Sequence, residues 1–422
     1  MIHYTQHTLS NGLVVLVQED HNTPLCTVNL LYNVGARDEN PSRTGFAHLF
    51  EHLMFGGTQK YPSYDHEVDQ MGGESNAFTN NDITNYYLTV PSQYLEQAFM
   101  LEADRMRLLD FSQHSLSVQR QVVTEEYNQR YENQPYGDYW RIMLPLCYQE
   151  HPYRWDTIGA DIKHVQEAEI SDVEAFFFAH YRPDNCILSV VGNVSAAEVV
   201  ALAEKHFGTI LRPDGVRPPV PAMGYAKTYP QEPPHTEQRR IRVERNVPNS
   251  MLLIAFPMVG RAHDEYPLFD LLSDILSNGE SSRLHNALIK QNPLFVELSA
   301  FVSGFADNGL FCIRGKLSEG VDIHEAESAL WSELKRMATE PILPIELEKV
   351  VNKYESTFMF EQYRAGDRAY MLCYYYWLGH LDWINTEPER YRKVSVDQLQ
   401  SLASQTFRVE NSNVLEYLAY ES

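Results

Sequence analysis

Two short motifs occur twice in this chain, in the same order. VGARDE (34–39) recurs as VGRAHDE (259–265), and YRPDNCIL (181–188) is echoed by FRVENSNVL (407–415), at offsets of 225 and 226. Two echoes that keep their order at nearly one offset indicate a duplicated domain. The 422 residues are therefore predicted to form two domains of similar size and fold.

A proline-rich segment separates the two halves. Seven prolines lie between Pro213 and Pro234, a composition that favours neither a helix nor a central strand. We therefore predict a first domain at 1–211, an extended linker at 212–236 and a second domain at 237–422.

Both strand and helix patterns occur in each half. Alternating or continuous apolar runs such as GLVVLVQE, TVNLLYNV, TNYYLTV and NCILSVV predict strands. Apolar residues every three or four positions in YLEQAFMLEADRMRLL and EAESALWSELKRMA predict helices. Several strands follow one another as hairpins, which favours an α+β fold: two α/β-sandwich repeats with largely antiparallel sheets.

The charge of the chain restricts its partners. Acidic residues outnumber basic ones by 57 to 34, giving a net charge of −23, which repels phosphate backbones and argues against a nucleic-acid partner. This charge favours cationic ligands, such as basic peptides, if the acidic groups line a cavity; the alternative is a solvated acidic surface. No apolar run is long enough to span a membrane.

Cysteines and the N-terminus bear on the compartment. The five cysteines form no CxxC pair, which indicates neither a disulfide framework nor a thiolate metal site. The chain lacks a basic start followed by an apolar run. As given it is expected in the cytoplasm, or in the periplasm or outside the cell if a leader peptide has been removed.

The segment FAHLFEHLMFGG (46–57) carries two histidines and a glutamate among apolar residues. It consists of helix formers and ends in a Gly-Gly stop, so a helix is predicted. At about 100° per residue, His48, Glu51 and His52 share one face, and imidazoles at i and i+4 can bind one Zn²⁺. Glu51 is then placed to act as general base and acid. Hydrogen-bonded core histidines are the simpler alternative, but they do not explain three polar groups on one arc.

A catalytic zinc needs a third protein ligand and an open position for water. The predicted helix SVQRQVVTEEYNQRY (117–131) supplies a candidate. If Val118 and Val122 mark its inward face, Glu126 continues the i, i+4, i+8 series. Glu125 points about 100° away and is the alternative ligand.

These residues resemble the M16 family of zinc metallopeptidases, the pitrilysin, insulin-degrading enzyme and mitochondrial processing peptidase type, in its short bacterial form. The resemblance covers the first half in the family's order: TLSNGLVVLVQED, VGARDE, TGFAHLFEHLMFGGT, GGESNAFTNNDITNYY, LEADRM, VVTEE, HPYRWDTIG and YRPDNCILSVVGNV. It implies the two-repeat metallohydrolase fold of that family. The second half is only diffusely similar, and its counterpart of the zinc helix, FDLLSDILSNG, has no histidine or glutamate.

By this resemblance each chain binds one zinc ion through His48, His52 and Glu126, with Glu51 as the catalytic base. Domain 1–211 is then the catalytic domain and 237–422 a non-catalytic repeat. The resemblance also implies that GGESNAFTNND contains a peptide-binding edge strand, in which Asn76, Ala77 and Phe78 hold the substrate backbone. Without the resemblance, an ordinary Gly-Gly turn followed by a strand explains this segment equally well.

Two departures from the family pattern stand out. Gln119 occupies the position, seven residues before Glu126, that often carries a second acidic residue in the family. A glutamine can still form a hydrogen bond behind the metal ligands, but it adds no charge. An arginine–tyrosine pair expected after Ser281-Ser282-Arg283-Leu284 is missing, since Ile289 and Val296 or their neighbours occupy those places. Because short members form two-chain clamshells, a dimer is expected, either of identical chains or with a related subunit that supplies the pair.

The resulting hypothesis is a zinc endopeptidase that cleaves unfolded peptides or short protein segments in an enclosed chamber. The alternative is a catalytically silent or partner-dependent subunit that binds peptides or serves assembly.

Overall fold

The structure is a computed structural model that describes residues 1–211 and 229–420. The chain forms two compact units. The first contains Met1–Asn128, Trp155–Thr228 and Met359–Asn385, and the second contains Gln129–Arg154, Tyr229–Phe358 and Thr386–Ser422.

A six-stranded sheet forms the centre of the first unit, in the order β1-β2-β6-β3-β5-β4. Its strands are β1 Thr5–Thr8, β2 Val14–Glu19, β3 Leu25–Tyr32, β4 Glu74–Thr79, β5 Thr84–Pro91 and β6 Cys186–Gly192. The β2–β6 pair is parallel and all the other pairs are antiparallel. Strands β3 and β6 are almost entirely buried, as expected for central strands with continuous apolar runs.

The second unit contains a five-stranded sheet in the order β7-β11-β8-β10-β9. Its strands are β7 Arg239–Arg245, β8 Met251–Pro257, β9 Phe295–Ser303, β10 Leu310–Leu317 and β11 Asn413–Ala419. Only β7–β11 is parallel. If β1 is left out, the remaining five strands of the first sheet, β2-β6-β3-β5-β4, have the same order along the chain and the same directions as the five strands of the second sheet. The predicted repeat of one mixed, mainly antiparallel α+β fold is therefore confirmed.

The strands are connected and covered by helices. In the described part of the chain these are α1 Phe46–Leu53, α2 Tyr64–Gln70, α3 Leu95–Arg107, α4 Gln113–Tyr127, α5 Tyr139–Cys147, α6 Lys163–Gln166, α7 Ile170–His180, α8 Ala196–His206, α9 Tyr266–Ser277, α10 Ile323–Thr339, α11 Pro344–Glu361, α12 Ala365–Trp377, α13 Trp383–Arg392 and α14 Val396–Thr406. Helix α9 follows β8 as α1 follows β3, so the two are counterparts in the repeat.

Each unit contains a helix from the opposite half of the sequence. Helix α12 packs on β3 and β6 in the first unit, where Ser189 donates a hydrogen bond to the carbonyl of Ala369. Helix α5 packs in the second unit, where Met143 and Leu144 join the core with Leu253. Most of the aromatic run 369–383 lies in α12, which comes from the second half of the sequence but buries its apolar face against the first sheet.

The predicted division at 1–211 and 237–422 takes no account of these two exchanged segments. The predicted linker at 212–236 lies partly outside the described residues, because 212–228 are not among them.

The cysteines are buried with free thiols: Cys26, Cys147, Cys186, Cys312 and Cys373. Among the described helices, none combines the length and the apolar character that a membrane crossing requires.

Candidate metal centre

Helix α1 carries the HxxEH residues. It begins after Gly45, which has a φ of 88°, a left-handed conformation that glycine adopts without strain. It ends at Leu53, close to the predicted Gly-Gly stop. The helix packs against α4, α7 and strand β4, and it buries the apolar residues Phe46, Ala47, Leu49, Phe50 and Leu53.

Three potential ligands converge on one point in the first unit. Nε2 of His48 lies 3.4 Å from Oε2 of Glu126, and Nε2 of His52 lies 3.3 Å from the same oxygen. The ligand atoms of all three residues lie within 4.8 Å of one another. His48 is nearly buried at 8% side-chain exposure, while His52 and Glu126 are 23% and 29% exposed, so the group opens to solvent on one side.

These distances fit a shared zinc ion. Two ligand atoms bound tetrahedrally at about 2.0–2.2 Å from one zinc lie roughly 3.3–3.5 Å apart. Direct N–H···O hydrogen bonds are shorter, at about 2.9–3.0 Å. The separations between the imidazole nitrogens and the carboxylate oxygen therefore match ligands around a cation better than two direct hydrogen bonds. Two imidazoles and one carboxylate are also a donor set found in catalytic zinc sites.

Glu51 lies on the same helix, one residue before His52, and is partly buried. Its charge acts on two buried phenols, Tyr86 and Tyr181, whose hydroxyls lie 3.2 Å apart beneath the helix. Burial is the main reason why the pKa of both hydroxyls is raised, and the negative charge of Glu51 raises it further. Both phenols are therefore neutral near pH 7.

Helix α4 supplies Glu126 from a face that differs from the predicted one. Val118 and Val122 are 40% and 43% exposed, so their interpretation as inward-facing residues is wrong. Leu116, Val123 and Tyr127 are the buried residues of α4. Glu126 lies at the border between the buried and exposed faces, next to Tyr127, and this position lets its carboxylate reach the histidines.

Two other residues of α4 were singled out in the sequence. Glu125 is exposed and lies outside the converging group, so the structure brings together Glu126 and not the alternative ligand. Gln119 lies two turns before Glu126 and is partly buried. Its role as a hydrogen-bonding residue behind the metal ligands stays a prediction.

Strand β4 is one of the two edge strands of the first sheet, and it contains the predicted peptide-binding residues. Asn76 pairs with Tyr87, Ala77 with Tyr86 and Phe78 with Asn85 on strand β5. The Ala77 N–H donates to Oδ1 of Asn76 at 2.8 Å. Since N–H groups alternate in direction along an antiparallel strand, this bond shows that the Ala77 N–H points away from β5, towards the free edge.

A cavity of about 900 Å³ lies beside β4 in the first unit. Its walls include Glu74 and Phe78 of β4, Tyr87 of β5 and Tyr370 of α12. The rings of Phe78 and Tyr370 meet edge to face with centroids 5.4 Å apart. The cavity therefore offers aromatic walls and a carboxylate next to the edge strand, a feature that the sequence pattern did not indicate.

The second unit contains no equivalent of the histidine–glutamate group on α9, whose sequence lacks both residue types. Arg283, in the SSRL motif, forms two hydrogen bonds with Glu346, each 2.8 Å long. Of the residues at or near the positions expected for the arginine–tyrosine pair, Ile289 lies in a π-helical segment and Val296 is 58% exposed on strand β9. The described part of this unit therefore places no arginine–tyrosine pair at those positions.

Another group of possible ligands, His324, Glu327 and Glu416, occurs in the second unit. The guanidinium of Arg240 forms ion pairs with both carboxylates of this group. Because a cation of the protein already neutralises them, the group is explained as a structural ion-pair network.

The family model described as Insulinase (Peptidase family M16) matches residues 14–140, and the one described as Peptidase M16 inactive domain matches residues 168–354. A relative named zinc protease PqqE, from Helicobacter pylori, is 27% identical over 97% of this chain and 91% of its own length.

Solved structures show the same similarity. A protease from Helicobacter pylori has a TM-score of 0.91 and 25% identity, covering 99% of this chain and 100% of its own. A Pseudomonas fluorescens structure described as a peptidase M16 inactive domain has a TM-score of 0.87 at 15% identity, covering 100% and 98%, which supports the fold alone. With both family models matched in order and full-length relatives named zinc proteases, this chain belongs to peptidase family M16.

Proposed function

We propose that the chain is a zinc-dependent endopeptidase that cleaves unfolded peptides or short protein segments. The observation that carries the proposal is the convergence of His48, His52 and Glu126 at zinc-ligand spacing, with Glu51 beside them on the same helix. A structural zinc site is normally closed by four protein ligands, whereas three ligands with an open side are typical of a catalytic site.

In this proposal, His48, His52 and Glu126 hold the metal, and Glu51 moves the proton. A zinc ion held by these three residues would supply Lewis-acid chemistry, by polarising the scissile carbonyl and lowering the pKa of the attacking water. Glu51 accepts a proton from that water and returns it to the leaving amine, acting first as a base and then as an acid. The neutral Tyr86 and Tyr181 hydroxyls beneath the helix do not compete for this proton.

Strand β4 provides the proposed means of substrate binding. An extended peptide can join the free edge as a further strand and pair with outward-pointing groups such as the Ala77 N–H. Its alternate side chains then face the side of the sheet that carries Phe78 and the neighbouring cavity. Binding through the peptide backbone selects unfolded segments, and the net charge of −23 favours basic ones.

A second candidate function is a partner-dependent subunit, and the second unit is the reason for it. Arg283 is paired with Glu346, and Ile289 and Val296 occupy the positions where the pair was expected. In this version a second, related chain closes a clamshell chamber and supplies the arginine and the tyrosine. The metal-binding role of this chain is the same in both versions.

The deciding experiment is hydrolysis of a mixed library of unstructured peptides by the purified chain, loaded with zinc, with products identified by mass spectrometry. Internal cleavage that disappears on chelation and returns with zinc supports a self-sufficient endopeptidase. Zinc bound without cleavage supports the partner-dependent version. A chain that binds no zinc contradicts both.

Replacing Ala77 with proline is expected to impair peptide binding without harming the sheet. The substitution removes an N–H that points to the free edge, and proline is tolerated at such a position. Loss of one backbone hydrogen bond predicts a drop in kcat/KM of about 2- to 10-fold, expressed mainly in KM. Steady-state kinetics on an unstructured peptide measure it.

Asn76→Ala is the matched control for this variant. It removes the side-chain acceptor that occupies the Ala77 N–H and leaves the N–H itself in place. We therefore expect KM to stay equal or fall. If Ala77→Pro binds peptide as well as the wild type, β4 is not the strand that holds the substrate.

A further inference from the structure

Residues 36–39, which we call the 36–39 brace, contact two parts of the candidate site. They belong to the VGARDE motif and form a short 3₁₀ turn followed by Glu39. Ala36, Arg37 and Glu39 are 0%, 2% and 6% exposed. The VGARDE motif marks the duplication and is part of the family resemblance, but the proposed chemistry gives it no role.

On one side, the brace caps the N-terminus of helix α1, which carries His48, Glu51 and His52. Gly45 is the N-cap residue of α1 and has no side chain to accept hydrogen bonds from the first turn. Glu39 accepts them instead: Oε2 from the Gly45 N–H at 2.9 Å and Oε1 from the Ala47 N–H at 2.8 Å. When Glu39 is ionised, its negative charge also interacts favourably with the helix dipole.

Glu39 is itself fixed from behind. The indole Nε1–H of Trp155 donates to Oε2 of Glu39 at 3.2 Å and to the carbonyl of Ala36 at 2.9 Å. Burial raises the pKa of Glu39 to about 8, against the effect of the Ala47 and Gly45 N–H groups, so the ionised carboxylate is costly at this position. A buried acid that spans two amides of one helix end fixes the helix in place more firmly than an exposed cap would.

On the other side, the brace fixes the turn that follows strand β4. Nη1 of Arg37 forms an ion pair with Oδ1 of Asp82 at 2.9 Å, and the two side chains are 0% and 7% exposed. The backbone N–H groups of Ala36 and Arg37 donate to the carbonyls of Asn80 and Asn81 at 3.1 and 2.9 Å. Strand β4 ends at Thr79, so the two accepting carbonyls belong to the first two residues after the strand.

We propose that the 36–39 brace is a positioning element that sets helix α1 and strand β4 relative to each other, with Glu39 orienting the metal ligands and Arg37 the peptide-binding edge. The inference rests on the proposed function. It assigns Glu39 and Arg37 positioning roles, because neither residue contacts the substrate or the reacting atoms.

The test measures metal binding, not only activity. Zinc affinity is determined by competition with a chromophoric chelator, and the visible spectrum of the Co²⁺-loaded protein reports the ligand geometry. We expect Glu39→Ala to weaken zinc binding by about 10-fold or more, the size of effect typical of partners behind metal ligands, and to alter the cobalt spectrum. Glu39→Asp, which keeps the carboxylate, is expected to restore part of the affinity.

Asp322→Ala is the matched control. Asp322 caps helix α10 in the second unit by accepting from the N–H groups of His324 and Glu325 at 2.9 and 3.1 Å. The Asp322→Ala substitution removes a comparable pair of capping hydrogen bonds from another helix but leaves the 36–39 brace unchanged. Zinc affinity and the cobalt spectrum are therefore expected to match those of the wild type.

Asp82→Asn tests the other side of the brace. We expect zinc affinity to stay within twofold of the wild type while KM for an unstructured peptide rises, because only the edge strand loses its fixed position. If Glu39→Ala does not fold, Glu39→Gln takes its place. The side-chain oxygen of glutamine can still accept one of the two helix N–H groups, whereas its NH₂ group faces the other N–H and cannot accept from it.

The outcomes separate the brace from the proposed function. A wild type that binds no zinc contradicts the proposed function. A wild type that binds zinc, together with Glu39 variants of unchanged affinity and spectrum, overturns the brace alone. Equal weakening by Asp322→Ala also overturns it, because the effect would then be one of general stability.

Discussion

Replacing Glu51 with glutamine is expected to abolish peptide cleavage while zinc remains bound. The three proposed ligands are unchanged in this variant, so the metal stoichiometry should stay at one per chain. Glutamine has nearly the same shape but cannot accept and return a proton, and general acid–base groups contribute about 10²–10⁴-fold to rate. We therefore expect kcat to fall by at least about 100-fold with little change in KM.

The experiment combines metal analysis of the dialysed protein with single-peptide kinetics. Glu125→Gln serves as a control, because it makes the same change to an exposed carboxylate outside the ligand group. Full turnover by Glu51→Gln would contradict the assignment of the base. Loss of zinc from the variant would instead mean that Glu51 is needed to bind the metal.

Much of the fold follows from local patterns. The strand predictions for GLVVLVQE, TVNLLYNV, TNYYLTV and NCILSVV correspond to β2, β3, β5 and β6, because apolar alternation and continuous apolar runs are local signals. The repeated motifs likewise predicted two sheets of matching topology. The exchange of α5 and α12 between units was not predictable, since periodicity shows that a helix has an apolar face but not which sheet covers it.

The candidate site shows the same division between local and long-range information. His48, Glu51 and His52 share a helix face by spacing alone, whereas Glu126 depends on how α4 packs. The stripe through Val118 and Val122 led to Glu126 although that stripe is exposed. The correct reason is that Glu126 borders the buried Tyr127, and only tertiary packing determines that border.

Glu39 was missed although the sequence contained a signal for it. A helix whose N-cap is glycine lacks the usual Ser, Thr, Asp or Asn acceptor, so its first amides need an acceptor from elsewhere. An acidic residue six positions before that glycine was a candidate. What the sequence could not show is that the chain between Glu39 and Gly45 folds back to bring the two together.

Replacing Glu126 with glutamine is expected to remove zinc from the protein and, with it, the cleavage activity. A neutral amide is a much poorer zinc ligand than a carboxylate, and two imidazoles alone leave the metal under-coordinated. We expect zinc affinity to fall by more than about 100-fold, beyond the 10- to 100-fold cost of losing a partner behind a ligand. Chelator competition measures the affinity, and peptide hydrolysis measures the consequence.

Glu125→Gln is the matched control for this variant as well, since it lies one residue away on the same helix and removes the same charge. It should bind zinc and cleave peptide like the wild type, so the contrast isolates the carboxylate that lies 3.3–3.4 Å from both imidazoles. If Glu126→Gln retains tight zinc while Glu125→Gln loses it, helix α4 must rotate by about 100° on metal binding to present the neighbouring carboxylate. If both variants retain zinc, the third ligand comes from another element and the proposed ligand set is wrong.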